Sequence, residues 1–521
     1  MNLKQKLARL APLAGPGRTA TSEALPPEAL LSGGGAVLPS VPSARGEQQP
    51  LDLALPGGLS GADPHCPAPA AMPKSAGGPA SPRSPTPASG SEASHRIRRG
   101  LAVLGAKGGL GRGSDPPQRA SPGTSAPHSS PVGPSTPSPE GRQQLPVETV
   151  ATAAGALHLR ALPHPVDHHH GTVRLANAAS VSTATVAKLA LDPSLEGTDF
   201  SRALFLDLET TGLAGGTGTL PVVVGLAWFE DGAFQMEQLF LRRPGEERPM
   251  LARVAERLAS ASGVVTYNGK TFDWPLLRSR FVMNRMKDPS PPPHLDLLHC
   301  ARRIFKWRGG GAKLAEIERE VIGYHRVGDV DGALIPELYF RYLRSGNPGP
   351  LAPVLEHNVH DIRLLAALLA HLCEQFEAAP PAGDPRDLLG YAHLAFRAED
   401  LPRASAFSAG VISSLQGPEN SGRAGARNLA AEALTLSARV ALRIGEPQLA
   451  ADSLERALRG CRPQVRSELH LALAKIYEHR LRDFASALRH AALTSPTEPG
   501  EEQTRRLERL ARRGARTAPG S

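Results

Sequence analysis

The 521-residue sequence has few cysteines and no long apolar run, and each absence excludes a class of protein. Its four cysteines are scattered and form no Cys-x-x-Cys pair, which argues against a disulfide framework or a structural zinc site and suits a reducing compartment. No apolar run reaches the length of a membrane span, and Arg9 interrupts the first apolar stretch, which makes a poor signal peptide. We therefore expect a cytoplasmic protein with no membrane partner.

Aromatic residues are also sparse, at 4% of the chain, while glycine and proline are concentrated in its first third. Residues 1–146 are rich in Pro, Gly and Ser, and such a segment cannot bury enough apolar surface to offset its ordering entropy. We predict that it is mostly disordered, and we interpret its basic island, at 95–99 and 107–112, as a solvated charge run rather than a binding arm. The net charge of +9 is compatible with a polyanionic partner.

The middle of the chain has the pattern of an α/β fold. Residues 147–200 are predicted to be an N-terminal extension of a core domain at 201–378. The predicted strands of this domain lie at 203–209, 220–229, 234–242, 263–267 and 295–298. The predicted helices lie at 246–260, 272–286, 300–306, 312–322, 335–344 and 351–377. Three strands in a meander followed by alternating helices and strands imply a mixed sheet flanked by helices.

The chain after a Pro-rich linker is predicted to be all-α. Three helical hairpins are expected over 385–495, and the distances from Ser453 to Ala487 and from Ala457 to Ala491 both equal the tetratricopeptide period of about 34 residues. Three such units suffice for a stacked array, which could bind a protein partner. Residues 496–521 are predicted to be a basic tail, in which residues 505–516 fray.

Two carboxylates on the first predicted strand suggest a metal site. Side chains alternate along a strand, so Asp207 and Glu209 point to the same side of the sheet. Like charges at close range repel and desolvate badly, and a hard divalent cation such as Mg²⁺ or Mn²⁺ resolves that conflict. The alternative is a strand that ends in solvent, with both acids at a wet edge.

Two further segments contribute candidate residues. Asp273 follows the strand at 263–267, where a helix begins, and the alternative reading is that Asn268 and Asp273 merely cap that helix. His357 and Asp361 are four residues apart and stack on one helical face. The histidines at 168–170 are interpreted as low-complexity surface rather than a metal site.

Together these segments resemble the DEDD exonuclease superfamily of the ribonuclease H-like fold, and most closely its YprB-like branch. The resemblance is carried by Asp207-Leu-Glu209-Thr-Thr-Gly, by Asn268-Gly-Lys-Thr-Phe-Asp273 and by His357-Asn-x-x-Asp361. It covers residues 200–378, and members with a C-terminal tetratricopeptide region are known in that branch. The fold class implied is a ribonuclease H-like mixed sheet.

The resemblance implies a metal-dependent 3′–5′ exonuclease that hydrolyses single-stranded DNA or RNA with two Mg²⁺ or Mn²⁺ ions. Asp207, Glu209 and Asp361 would hold the first cation, and Asp207 and Asp273 the second. His357 would orient or deprotonate the attacking water, although its spacing from Asp361 is the one that the superfamily's tyrosine variant uses. His360 is the rival candidate for this role, but it points away from the face of Asp361. The residues expected to contact the substrate are Thr210, Asn268, Lys270 and Phe272.

A second hypothesis is a nucleic-acid-binding or scaffolding protein with a weak or inactive nuclease fold and a repeat-based partner interface. It is motivated by the unusual spacing of His357 and by the basic tail and repeats. Substitution of His357 separates the two hypotheses, because only an enzyme has a rate to lose.

Overall fold

The structure, a computed structural model, describes residues 144–165, 167–212, 218–290, 292–417 and 423–517. The expectations for residues 1–143 therefore concern a part of the chain outside these ranges. The strands are β1 Glu148–Thr152, β2 Gly155–Ala161, β3 His164–Pro165, β4 His169–His170, β5 Val173–Arg174, β6 Leu204–Thr210, β7 Pro221–Glu230, β8 Ala233–Phe240, β9 Val264–Thr266 and β10 His294–Asp296. The helices up to the predicted linker are α1 Thr183–Ala190, α2 Glu247–Ser260, α3 Asp273–Met283, α4 Leu297–Ile304, α5 Leu314–Ile317, α6 Ile335–Ser345 and α7 Ala352–Glu377.

A mixed sheet organises the first part of the described chain. Its strand order is β1-β2-β8-β7-β6-β9-β10, with β3 also paired to β8. The strands from β6 to β8 are antiparallel neighbours, whereas β9 is parallel to β6 and β10 is parallel to β9. The β7–β8 hairpin turns at Asp231 and Gly232, both with positive φ, as a two-residue Asp-Gly turn requires. The predicted extension at 147–200 contributes β1 and β2 to one edge of the sheet.

Strand β6 is central because both of its faces are covered. Its even-numbered leucines pack into a cluster with α2 and α3. Phe205 packs on the opposite face, in a cluster that contains Val359 and Ile362 of α7. Because side chains alternate along the strand, Asp207 and Glu209 share the face of Phe205 and are directed toward α7. The mixed sheet with helices on both faces confirms the predicted α/β architecture of this part of the chain.

The C-terminal part is helical, as predicted. Its helices are α8 Pro385–Arg397, α9 Leu401–Ser414, α10 Ala424–Arg443, α11 Pro447–Leu458, α12 Pro463–Ile476, α13 Phe484–Ala491 and α14 Gly500–Thr517. The first helices of the three successive pairs begin at Pro385, Ala424 and Pro463, which spaces them by 39 residues rather than 34. The helical region is therefore established, whereas its tetratricopeptide identity stays a prediction.

The helical region shares a hydrophobic core with the sheet domain. One continuous cluster contains residues of α4, α7, α8 and α9, among them Ile304, Phe376, Leu389 and Phe407. The contact is closest at Gly390, where an added Cβ would lie 2.0 Å from the carbonyl oxygen of Ile304. The Pro-rich segment predicted as a linker thus joins two parts that pack directly against each other.

The predicted fraying at residues 505–516 is wrong, and the ordered segment extends over residues 500–517. They form α14, whose Leu510 is 1% exposed. Arg506, Arg509 and Arg513 of this helix surround the buried carboxylate of Glu478 at 2.8–3.3 Å. The basic residues therefore order the tail, because they compensate a buried charge. In the described ranges, no helix combines the length and the apolar character that crossing a membrane requires.

Candidate metal centre

The carboxylates of β6 lie in a pocket shaped by a glycine and an asparagine. In the register of the sheet, Asp207 lies opposite Gly225 of β7. The side chain of Asn358 fills the space that a Cβ of Gly225 would need, since that Cβ would lie 2.3 Å from Asn358 Oδ1. Asn358 Nδ2 donates a hydrogen bond of 2.9 Å to Asp207 Oδ2, and its Oδ1 accepts one of 3.0 Å from Gln238 Nε2. Asn358 therefore fixes the orientation of Asp207.

The third predicted acid, Asp273, is the first residue of α3 and is only 4% exposed. The N-cap position of α3 is Phe272, and no side chain caps this helix. The alternative in which Asn268 and Asp273 cap the helix is therefore wrong. Asp273 is buried within electrostatic reach of Asp207, Asp296 and Asp361.

Helix α7 brings His357 and Asp361 to the acids of β6. His357 Nε2 lies 3.6 Å from Asp361 Oδ2 and 4.0 Å from Glu209 Oε1. One ligand atom from each of these three residues lies within 4.8 Å of the other two. Glu209 Oε1 is buried and has no hydrogen-bond partner in the described residues, so it retains a free lone pair for a cation. The carboxylate oxygens of Glu209 and Asp361 fit a hard divalent metal ion, with the imidazole of His357 directly beside them.

The electrostatics of the site also favour a cation. Burial raises the pKa of Asp207 to about 7, and the negative charge of Asp361 adds to this effect. Burial and the neighbouring carboxylates likewise hold the pKa of Glu209 and the pKa of Asp273 well above their usual range. The negative charges of these acids oppose one another, and a bound cation would remove that repulsion.

Two residues that the sequence analysis missed complete the site. Asp329 Oδ1 lies 2.8 Å from His357 Nδ1, which fixes the direction of the imidazole ring. Arg326 donates a hydrogen bond of 2.5 Å to Asp361 Oδ1 and another of 2.5 Å to Glu318 Oε2. Glu318 begins a π-helical turn at Glu318–Ile322, a feature that is frequent at functional sites. Arg326 and Asp329 both follow that turn, and the sequence around them contains no recognisable motif.

The residues expected to contact the substrate lie around two turns. Thr210 is buried and donates to the carbonyl of Gly212 at 2.9 Å, whereas Asn268 is exposed with φ 66°. Lys270 is exposed, and its Nζ lies 3.8 Å from Asp192 Oδ2. Phe272 is partly buried at the start of α3. Their contact with a substrate stays a prediction.

Two further acids, Asp296 and Asp331, stabilise turns. Asp296 accepts hydrogen bonds from the backbone N–H groups of Asn268, Lys270 and Leu298 at 2.8–3.1 Å. Asp331 accepts one from the backbone N–H of Ala333 at 3.0 Å. Asp296 therefore holds the loop that carries two of the expected substrate contacts.

The interpretation of residues 168–170 as a low-complexity surface is wrong for His170. Its side chain is fully buried, with Nε2 2.6 Å from Glu318 Oε1 and the ring stacked on Tyr324 at 4.2 Å. His360 also packs against Tyr324, at 5.4 Å between ring centroids, which agrees with its predicted role in packing. Among the described residues, the group of side chains that could hold a metal ion consists of Glu209, His357 and Asp361. It contains none of the histidines at 168–170.

Comparison with known proteins places this site in a recognised type of domain. Residues 204–373 match a family model described as the RNase_H superfamily, and this range contains all four candidate acids and His357. The fold and the position of the site thus define an RNase H-like domain of the kind generally found in nucleases.

A curated relative named "Uncharacterized protein YprB", from Bacillus subtilis (strain 168), is 33% identical over 220 residues. The aligned region is 42% of this chain and 53% of the relative, so the chain spans about half the length of that protein. The predicted ribonuclease H-like domain and the predicted similarity to YprB are therefore confirmed.

Proposed function

We propose that this protein is a metal-dependent 3′–5′ exonuclease that hydrolyses phosphodiester bonds of single-stranded DNA or RNA. The observation that carries the proposal is the convergence of buried carboxylates with His357 and Asp361 inside an RNase H-like domain. A buried cluster of acids with raised pKa values beside an oriented histidine is typical of a functional site. Such a cluster lowers the stability of the fold, so its presence is explained by function rather than by stability.

Asp207, Glu209 and Asp361 would hold one Mg²⁺ or Mn²⁺ ion, and Asp207 and Asp273 a second. When bound, such ions stabilise the attacking and leaving oxygens of an in-line displacement at phosphorus. Asn358 supports this arrangement, because its hydrogen bond to Asp207 Oδ2 leaves the other carboxylate oxygen available. The free Oε1 of Glu209 and the second oxygen of Asp361 are available in the same way.

His357 would act on the attacking water. The 2.8 Å contact with Asp329 assigns the Nδ1 proton to a hydrogen bond with that carboxylate, which leaves the Nε2 lone pair directed at the acids. Nε2 accepts a proton from the water as its oxygen attacks phosphorus, the bond to the 3′ oxygen of the preceding nucleotide breaks, and that oxygen takes up a proton from solvent to become a 3′-hydroxyl, while His357 returns its own proton to solvent. The products are a nucleoside 5′-monophosphate and a strand shortened by one nucleotide.

A second candidate function is a domain of this fold that binds nucleic acid without cleaving it. The specific observation in its favour is Arg326, whose guanidinium already neutralises Asp361 across a 2.5 Å hydrogen bond. In this reading the helical region provides an interface for a protein partner.

The test is hydrolysis of 5′-labelled single-stranded DNA and RNA in the presence of Mg²⁺ or Mn²⁺. We expect a descending ladder of labelled products, its loss with a 3′-phosphate block or a chelator, and its absence in Asp207→Asn. His357→Ala should lose most of the rate while it keeps its affinity for the strand. Failure of the parent chain to degrade any of these strands, with binding intact, would favour the second candidate.

A further inference from the structure

A cavity in the helical region combines an apolar floor with an arginine-rich opening. It measures about 460 Å³ and lies where α8, α10 and α12 meet the 3₁₀ turn Phe305–Arg308. Trp307, Leu429 and Leu469 belong to its lining, together with Arg423 and Arg462. A neighbouring hollow shares Arg462 and adds Arg427 and Arg459. We call these four arginines and the two hollows between them the arginine groove.

The arginines of the groove form no close ion pair in the described part of the chain. All four are exposed, and no ion pair within 4.0 Å joins any of them to a described acid, in contrast to the arginines of α14, which surround Glu478. The acid that lines the larger cavity is Glu432, whose pKa is raised because the carboxyl is partly buried. The groove therefore presents a concentrated positive charge, which Glu432 offsets only in part through its electrostatic interactions with Lys306 and Arg462.

Two of these arginines stand where helix electrostatics disfavour a positive charge. Arg423 is the N-cap residue of the 20-residue helix α10, and Arg462 is the N-cap residue of the 14-residue helix α12. Neither helix has a side-chain cap or an acidic residue in its first turn. A helix N-terminus favours anions, and here two of them open into the same cavity behind cationic side chains. Two helices at one cavity thus begin with a cation at a position that favours an anion. Such a repeated departure indicates a ligand whose negative charge compensates for the cations.

The floor of the cavity is aromatic, and the ring of Trp307 also stacks on His393 at 5.9 Å between centroids. Trp307 lies under the ammonium group of Lys306, 4.7 Å from the ring centroid, and its indole Nε1 is buried with no hydrogen-bond partner in the described residues. The volume is within the range of pockets that hold small organic ligands. An apolar, aromatic floor beneath a cationic opening is the combination used for a base with its phosphate.

We propose that the arginine groove binds the phosphate backbone of a single-stranded nucleic acid, as a second contact for the strand whose 3′ end enters the metal centre. This inference rests on the proposed function. Helix α4 and the turn at Phe305–Arg308 connect the groove to the loop of Asn268, which carries expected substrate contacts, because Asp296 caps α4 at that loop and Trp307 lies at the other end. Eight α-helical and four 3₁₀ residues span about 20 Å at most, which equals about six stacked nucleotides.

An acidic peptide is the other polyanion that such a groove could attract, and the structure favours nucleic acid. The shared hydrophobic core of the helical region and the sheet domain holds the groove in a fixed position relative to the carboxylate cluster. A strand bound at that cluster would continue outward for several nucleotides. The combination of an aromatic floor with arginines also matches a nucleotide better than a carboxylate side chain.

The experiment measures binding in the full chain with Asp207→Asn, which cannot hydrolyse the strand. Fluorescence anisotropy with oligo-dT and oligo-U of about 20 nucleotides is recorded over a salt series. The test variant adds Arg423→Ala and Arg462→Ala. The matched control adds Arg480→Ala and Arg482→Ala, which removes two exposed arginines beyond the opposite end of α12, about 21 Å away.

We expect the groove variant to lose affinity roughly tenfold and its salt slope to fall by about 1.4, as two lost phosphate contacts require, while the control keeps both values. Oligonucleotides of about four nucleotides should bind the groove variant and its parent equally, because they are too short to span the two sites. Circular dichroism establishes that both variants are folded.

Equal affinities in the groove variant and the parent, or equal losses in both double variants, would overturn the proposal. The proposal would also be overturned if oligo-glutamate bound the parent but not the groove variant while both bound the oligonucleotides equally. That result would assign the groove to an acidic peptide. The result does not depend on hydrolysis. A failure of the proposed nuclease activity in the parent chain is therefore distinguishable from a failure of the groove.

Discussion

Replacement of Asp207 by asparagine should stabilise the metal-free protein at alkaline pH while it abolishes activity. The pKa of Asp207 rises from its ordinary value of 3.8 to about 7 in the folded protein, chiefly because the carboxyl is desolvated. Between these two values the unfolded chain has released its proton and the folded protein retains it. The metal-free protein therefore loses stability as the pH rises through this window, and asparagine removes that loss.

The expected magnitude follows from 1.36 kcal/mol for each unit of pKa. The raised pKa of Asp207 lowers the free energy of unfolding of the metal-free protein by roughly 2 kcal/mol at pH 5.5 and by roughly 4 kcal/mol at pH 8. The stabilisation by Asp207→Asn should therefore grow by about 2 kcal/mol between these pH values. The introduced asparagine can still accept the hydrogen bond of Asn358 through its amide oxygen, so the substitution leaves the local packing intact.

The assay is thermal unfolding with a chelator present, compared with unfolding in millimolar Mn²⁺. In the parent chain Mn²⁺ should raise the midpoint, by the equivalent of about 2.7 kcal/mol when the free ion is a hundredfold above its Kd. Asp207→Asn should show little of this rise. Glu196→Gln, at an exposed acid, serves as the control for loss of one negative charge. An Asp207→Asn midpoint at or below that of the parent at pH 8, with chelator, would refute the reasoning.

Three further substitutions test other parts of the structure. Asp329→Asn should lower kcat by about 10- to 100-fold with little change in KM, because it weakens the hydrogen bond that orients His357; an unchanged pH–rate profile and kcat would contradict this role. Asn358→Ala should destabilise the protein by about 1–3 kcal/mol in thermal or denaturant unfolding, since it leaves buried partners without hydrogen bonds, and wild-type stability would argue against it. Gly390→Ala should destabilise the contact between the helical region and the sheet domain, measured as earlier proteolysis between them, because its Cβ would lie 2.0 Å from the carbonyl oxygen of Ile304; an unchanged digestion pattern would show that the contact adapts.

The parts of the site that could be predicted from the sequence are those with a short-range pattern. Alternation along β6 places Asp207 and Glu209 on one face, and the spacing of four residues places His357 and Asp361 on one turn of α7. The bounds of the main strands and helices follow from the same periodicities, within one to three residues in most cases. The predicted tail failed because Leu507 and Leu510 alone carry too weak a pattern among the arginines of α14.

The residues that could not be predicted act through contacts between distant segments. Asn358 bonds to Asp207 across 151 positions of sequence, and His170 bonds to Glu318 across 148. Arg326 and Asp329 reach α7 from a loop after a π-helical turn, for which the sequence has no simple periodicity. Such partners are selected by the packed fold, in which each buried polar group must find a partner.

The most direct measurement of the central claim is a crystal structure of the full chain with Mn²⁺ and a nucleoside 5′-monophosphate. Anomalous scattering locates Mn²⁺ without reference to the activity. The account predicts two anomalous peaks within coordination distance of the carboxylates of Asp207, Glu209, Asp273 and Asp361, with the phosphate of the nucleotide on the same ions. No peak at these carboxylates, or Mn²⁺ held at the histidines of residues 168–170 instead, would contradict it.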